Sequence, residues 1–383
     1  MALAVTLVLL AMAAGAIVFT LLTIEAARRY LPVPSPAVPP PALPEHLPPV
    51  SILKPLAGLD EGLEENLRSF FEQDYPHFEI LMAVSTEDDP ALAVARRLAA
   101  AYPHVATRIL VTGEPPYPNR KVCSIDRMVK AASYDLLVMS DSDIRVTSGM
   151  LRVIAAEFQD PQLALTTCPY RAVPGRSIWS RLEAVMMNTE FLSGILVARM
   201  LEGMRFAVGP TTVARKQMIE AIGGFESLRD YLAEDFVLGQ RAAEMGFGVG
   251  LSSYVVEHRI GSSTFQANVN HRLRWVRSTR RSRPAGYVGQ LFTYPVPVAL
   301  LLVCWSSAWW PLFGAVLVLR MAAAWMVAIR ILGDPLVRRN WWLVPVQDVL
   351  SFLFWAAGFF GNTIAWRGKT FYLERDGTFR RIR

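Results

Sequence analysis

The chain has 383 residues, 52% of them hydrophobic and only 19% charged, with a formal net charge of +6. Together with a positive mean hydropathy, that balance excludes an ordinary soluble enzyme of this size and points to membrane segments around one large domain. Cys123, Cys168 and Cys304 lie far apart, which excludes a disulfide framework and a cysteine zinc site, and the basic excess sits beside apolar segments, which directs it to a membrane surface rather than to nucleic acid.

Residues 1–27 carry no Lys or Arg and are almost wholly apolar. A run of about 20 apolar residues spans a bilayer, and the basic Arg28 and Arg29 come after it, opposite to the order in a signal peptide. The reading is a transmembrane anchor with its N-terminus outside and the following domain cytoplasmic. Residues 28–49 form a linker, with nine prolines between 31 and 49. At ~3.1 Å per residue, polyproline geometry makes it a semi-rigid spacer of roughly 50–60 Å at most.

From residue 50 to 284 short apolar runs alternate with helical patterns: VSILK and a helix near 61–73, FEILMAVS and a helix from Pro90, ATRILV and a helix near 121–133, YDLLVMS and a helix near 148–159. This alternation predicts a parallel α/β sheet with ligands at the carboxyl ends of its strands. Residues 285–366 read as a C-terminal membrane region with apolar stretches at 291–310, 311–331 and 341–366, and 367–383 as a basic tail. Three full crossings conflict with the charges, because they place that tail outside; Pro345, Asp348, Gly358 and Gly361 make the third stretch a candidate for a re-entrant or interfacial segment. A charge inside an apolar segment is costly, so Arg320 is expected to pair with Asp348 or face the protein interior.

The strongest chemical signal is Asp141-Ser142-Asp143, directly after a strand. Two carboxylates so placed can share a divalent cation, Mg2+ or Mn2+, with substrate phosphates and neutralise a diphosphate leaving group; the plain alternative is a polar turn. Asp89, before Pro90, suits a helix N-cap and also a hydrogen bond to a nucleoside. Glu234-Asp235 opens another helix, where acidic residues are at home in any protein, and Asp235 is the candidate general base. Lys121 brings a cation to a helix start. His271-Arg272-Leu273-Arg274-Trp275 opens a run with six Arg between 272 and 283. Some of these belong to a solvated or headgroup-binding face; Arg274 is the candidate contact for a pyrophosphate, and Trp275 for a sugar or acceptor. Residues 178–206 are apolar with few charges and read either as an interfacial lipid-binding segment or as a core helix.

Taken together, these motifs resemble the ceramide glucosyltransferase family, inverting transferases with a GT-A (Rossmann-like) fold. VSILKPLAGLDEGLEENLRSFFEQDYP is similar to its opening strand and helix. Asp89 in EDDPA, Asp141 in SDSDIRV and Asp235 in LAEDF match its three aspartates, implied to contact the nucleotide, the metal and the acceptor proton respectively. Arg274 and Trp275 match the Gln/Arg-x-x-Arg-Trp motif, in which His271 departs from the first position. NRKVCSIDRM and YRAVPGRSIWSRL also resemble a bacterial branch that adds N-acetylglucosamine to a hopanoid, and Asp143 completes a metal pair at a position where animal members have Gly. The resemblance implies a single hexosyl transfer from UDP-N-acetylglucosamine or UDP-glucose to a hopanoid or ceramide hydroxyl, in a bacterial inner membrane. The alternatives are a processive polysaccharide synthase, which normally needs more membrane helices, and an inactive nucleotide-binding scaffold, which needs no base.

Overall fold

The computed structural model describes residues 1–30, 47–366 and 368–382. Most of the proline linker, residues 31–46, lies outside them. The N-terminal apolar run forms one helix, α1 (Ala2–Arg29). The expected alternation follows: β1 (Val50–Pro55), α2 (Leu63–Phe71), β2 (Phe78–Val84), α3 (Pro90–Ala101), β3 (Ala106–Val111), α4 (Arg120–Ala131) and β4 (Leu136–Ser140). Helix starts are chemically marked. The Asp89 side chain caps α3 with Pro90 behind it, and the Asn119 side chain accepts from the Val122 N–H to cap α4.

The α/β domain is completed by β5 (Ile144–Arg145), α5 (Met150–Glu157), β6 (Leu163–Thr167), β7 (Tyr170–Pro174), α6 (Ile178–Met186), α7 (Leu192–Glu202), β8 (Thr211–Arg215), α8 (Lys216–Ala221), α9 (Glu234–Glu244), β9 (Gly248–Leu251), β10 (Val256–Gly261) and α10 (Phe265–Ser282). Seven strands form one sheet in the order β3-β2-β1-β4-β8-β6-β9. The sheet is mixed rather than purely parallel, because β8 runs antiparallel to both β4 and β6. β1 is central and buried on both faces: Ile52 joins the core with α2, α3 and α5, and Leu53 the core with α4, α8 and α9. Strand order reverses between β1 and β4, and a reversal of this kind opens a crevice at the carboxyl ends of the strands. A second sheet, β5-β10-β7, stands beside that crevice.

Among the described residues three helices are long and apolar enough to cross a membrane: Ala2–Arg29, Ile178–Glu202 and Ser307–Ile331. The second runs from α6 through a π-helical turn at Met187–Phe191 into α7, and 61% of its apolar window is buried inside the protein. Most of it therefore packs as a core helix. α11 (Pro284–Gly289) and α12 (Pro295–Trp305) belong to a pair bent by 63°, which would make a fourth span if counted as one. α13 (Trp310–Ala324) lies within Ser307–Ile331, and α14 (Pro335–Arg339) precedes α15 (Leu343–Gly358).

α15 has 16 residues, short of the about 20 needed to cross. Both its flanks are tied to the α/β domain. Ahead of it, Asn188 donates to Asp334 Oδ2 at 2.9 Å and Arg171 to the Leu332 carbonyl at 3.2 Å. Behind it, Arg277 donates to the Phe360 and Thr363 carbonyls, and Arg280 to those of Phe359 and Gly361. The chain thus returns to the domain, and the basic segment expected as a tail is folded: β11 (Thr363–Trp366), β12 (Lys369–Leu373) and β13 (Phe379–Arg381) pair antiparallel. The expected Arg320–Asp348 pair is present as a bidentate bridge, Nε to Oδ2 and Nη2 to Oδ1 both at 2.8 Å, with Thr189 Oγ1 at 3.2 Å from Nη2.

Candidate active site

The crevice beyond β1 and β4 gathers three of the expected residues, Asp141, Lys121 and Asp235, with Glu234 beside them. Asp141 follows β4 directly, and its N–H donates to the Pro210 carbonyl at 3.0 Å. Lys121, in the first turn of α4, reaches Asp141 Oδ1 at 2.8 Å and Glu234 Oε1 at 3.1 Å. Asp235 stands next to Glu234 in the first turn of α9 and lines the same cavity. Two glycines allow this gathering. A Cβ on Gly239 would lie 2.2 Å from the Ala207 nitrogen, and one on Gly209 would lie 2.9 Å from Asp235 Oδ2. α9 therefore lies flush on the strap 206–209, with no side chain holding it off.

The charges interlock. Burial opposes the Lys121 ammonium, but Asp141 and then Glu234 hold its pKa well above the ordinary value. Burial, then the Glu234 carboxylate, push the Asp235 carboxyl up to about 7. Asp143 has a separate partner: its Oδ2 lies 3.1 Å from His258 Nε2 on β10, while its Oδ1 is buried without a partner. Burial would raise the Asp143 carboxyl, yet His258 holds it below its ordinary range.

Sequence reasoning missed two residues here. His258 lies on a strand far from Asp143 in the chain, and nothing in EHRIG marks it. Lys54 had a signal: it is a lone charge in the apolar run VSILKP. Fully buried, it lies 3.8 Å from the Phe70 ring centroid and donates to the Asp141 carbonyl at 2.5 Å and Ser140 Oγ at 3.3 Å. Burial pulls its ammonium down to about 7 against the opposing pull of Asp141 and Asp143. It ties β1 to the turn that carries both aspartates.

The other expected residues are placed differently. Asp89 does not line the cavity; its carboxylate accepts from the Ala91 N–H at 2.9 Å and the Gly58 N–H at 3.0 Å, fastening the loop after β1 to the start of α3. Arg274 lies over the Trp366 ring, 5.9 Å from its centroid. Trp275 packs between Phe191 and His271, with centroids 5.7 and 5.0 Å away. His271, at the departing motif position, pairs through Nδ1 with the buried carboxylate of Glu183. Arg272 is itself buried, donating to Gln347 and Ser351. Much of the arginine run thus serves the protein, and the expectation of a solvated or headgroup-binding face is corrected for Arg272, Arg277 and Arg280. For Arg277 and Arg280 the reason is that the last carbonyls of a helix have no partner within it, and a guanidinium supplies several donors and a favourable charge at that end; Arg272 is instead drawn in by the polar side chains of Gln347 and Ser351 on α15.

The loop entering α9 is held from two directions. Asn119 Nδ2 donates to the Tyr231 carbonyl at 2.9 Å. From the C-terminal sheet, the Phe379 N–H donates to the Asp230 carbonyl at 2.9 Å, Thr378 bridges Tyr231, and Leu232 packs with Ile364, Phe371, Leu373 and Phe379.

No group of three or more His, Cys, Asp or Glu is arranged to hold a metal among the described residues. The donor set still fits a hard divalent cation, which takes one or two carboxylates and completes its shell with phosphates and water. Asp141 and the unpartnered Oδ1 of Asp143 are such donors.

The profile of glycosyl transferase family 21 matches residues 8–379. A ceramide glucosyltransferase 1 from Caenorhabditis elegans is 30% identical over 233 residues, 60% of this chain and 50% of that protein. A ceramide glucosyltransferase from Komagataella phaffii is 42% identical over 106 residues, 27% of this chain and 21% of that one. The chain thus spans half or less of the length of these curated relatives. Among solved structures, the mannosyltransferase PcManGT from Pyrobaculum calidifontis, in complex with GDP-Man and Mn2+, superposes with a TM-score of 0.54 at 18% identity, covering 92% of this chain and 98% of that one. At that identity the likeness establishes the fold, a mixed-sheet α/β core of GT-A type.

Proposed function

The chain belongs to glycosyl transferase family 21, and on that premise we propose that it moves one hexosyl group from a UDP-sugar to the hydroxyl of an amphipathic membrane lipid, inverting the anomeric centre. The observation that carries this reading is the gathering of Asp141, Lys121, Glu234 and Asp235 around one cavity, with the Asp235 carboxyl pushed up to about 7. A base tuned near neutrality can take the proton of a hydroxyl as its oxygen attacks the anomeric carbon. Lys121 carries positive charge where the diphosphate would lie. Asp89 would hold the nucleoside end through the loop it fastens, and Arg274 and Trp275 would close the site from α10. A divalent cation would be held by Asp141 and Asp143, where it would offset the charge on the departing UDP.

The donor we propose is UDP-N-acetylglucosamine or UDP-glucose, and the acceptor a polyhydroxylated hopanoid or ceramide. Detergent-solubilised protein offered each donor with each acceptor should yield one lipid carrying one sugar. Chains of several sugars would indicate a polysaccharide synthase instead, and UDP binding with no product in any combination a scaffold.

Asp143→Ala is expected to weaken binding of the UDP-sugar in the presence of Mg2+ or Mn2+ by at least about tenfold, the scale seen when groups around a metal are lost. Titration calorimetry with and without chelator checks this. A variant whose binding depends on metal as the parent's does would remove Asp143 from the cation site.

We further infer that the boundaries 1–27, 28–49, 50–284 and 285–366 mark anchor, linker, cytoplasmic catalytic domain and membrane region. α1, the α11–α12 pair and Ser307–Ile331 would each cross, and α15 would lie along the interface. Arg28, Arg29, Arg338, Arg339 and the strands after α15 then share the cytoplasmic face, which removes the charge conflict. In a chain whose exposed Cys304 is replaced by Ala, a cysteine placed at Thr378 should react with a membrane-impermeant maleimide only once right-side-out vesicles are opened; labelling of intact vesicles would overturn this topology.

A further inference from the structure

Tyr170 opens β7 and is only 3% exposed. Its ring is clamped on two sides. It meets His258, the partner of Asp143, edge-on at 5.3 Å and 89°, and stacks on Phe191 at 5.5 Å and 30°. Phe191 continues to Trp275, and Trp275 to His271. A line of rings therefore leads from the Asp143 side of the crevice to α10, the helix that precedes the apolar C-terminal helices. Phe191 ends the π-helical turn Met187–Phe191. Such a turn adds a residue to one helical repeat and re-aims the side chains beyond it, and such turns recur at functional sites.

The Tyr170 ring is packed, but its hydroxyl has no hydrogen-bond partner among the described residues. The hydroxyl is not among the enclosed side-chain atoms left without a partner, so it opens onto free space, where a ligand or water can meet it. Its electrostatic setting is specific. Burial first, then the carboxylates of Asp235, Glu183 and Asp143, raise the phenol well above its ordinary value. The group therefore keeps its proton at any working pH and acts as a donor.

We infer that Tyr170 is an acceptor-specificity residue. Its hydroxyl donates a hydrogen bond to a second oxygen on the acceptor's polar end, next to the hydroxyl that Asp235 deprotonates, while Phe191 and Trp275 pack against the adjoining carbon skeleton. This rests on the lipid-transfer reading above and deepens it: the preferred acceptor is a lipid with a second oxygen close to its reacting hydroxyl, not a simple long-chain alcohol. No bond at Tyr170 is made or broken. The proton of the reacting hydroxyl passes to Asp235, and Tyr170 only orients.

The test compares two acceptors, a polyhydroxylated lipid and an analogue of the same skeleton that keeps only the reacting primary hydroxyl. The wild type should prefer the first in kcat/KM. Tyr170→Phe keeps the ring contacts and removes only the oxygen, so the thermal midpoint and UDP binding should hold. Its kcat/KM on the polyhydroxylated lipid should fall roughly ten- to hundredfold, the scale of a buried polar group left unpaired, and should not change on the analogue. A preference that survives in Tyr170→Phe, or a wild type that uses both acceptors equally, overturns the inference. A wild type that transfers sugar to neither lipid fails the underlying reading instead.

Discussion

Replacing Asp235 with Asn is expected to lower kcat by about a hundred- to ten-thousandfold, the range supplied by a positioned general base, while UDP binding changes little. The substitution keeps the shape of the side chain and removes only its ability to take a proton. The folded protein should tolerate it, because Asp235 sits beside Glu234 in a buried pocket where a second negative charge is unfavourable. The thermal midpoint should therefore stay level or rise. The same residue sets a pH signature. Its carboxyl is raised to about 7, by burial first and then by Glu234, and only the ionised form is a base. The wild-type kcat/KM should rise with pH up to about 7 and then level off, and below that point it should drop tenfold per unit of acid. Steady-state assays across pH with a fixed lipid acceptor check both expectations. An Asn variant that retains transfer would remove Asp235 from the role of base.

The second large effect concerns stability. Arg320→Met should cost about 3–5 kcal/mol, because it leaves the Asp348 carboxylate buried without its partner. The bridge is bidentate, and the two side chains are 5% and 2% exposed. Thr189 adds a hydrogen bond from the π-helical turn, so the pair also locks α13 and α15 to the helix bearing Phe191. The expected readings are a lower thermal midpoint in detergent and a lower yield of folded protein, with transfer per folded molecule retained. Coupling decides the cause. In Arg320→Met/Asp348→Leu both charges are gone, and most of the stability should return. A double variant as unstable as the single one would mean that shape, not charge, governs this site.

The strand–helix alternation from β1 to α5 is legible because each element is local: apolar runs of strand length, capped helix starts and short turns all lie within a few residues of one another. The antiparallel insertion of β8 is not, since the direction of a strand depends on the path taken between strands and leaves no mark in TTVAR. Asp141, Lys121 and Asp235 are legible as acidic or basic residues at the starts of helices and the end of a strand. Their convergence becomes visible only once Gly209 and Gly239 let α9 settle against the strap. His258 and Tyr170 stay hidden because they meet Asp143 and Phe191 through strands distant in the chain. The Arg320–Asp348 pair is readable because an apolar surrounding leaves a charge few choices. The arginine run misleads for the opposite reason: near a membrane a guanidinium has many suitors, and for Arg277 and Arg280 those turn out to be the backbone carbonyls after α15.

The strands after α15 belong to the last part of this chain to be synthesised, yet they grip the loop that leads into α9. During translation, α9 emerges well before its brace. The brace arrives only after the apolar helices that lie between them in the chain. Were those helices to insert as proposed above, their placement would decide whether β13 can return to Asp230, and with it whether the loop into α9 is fastened.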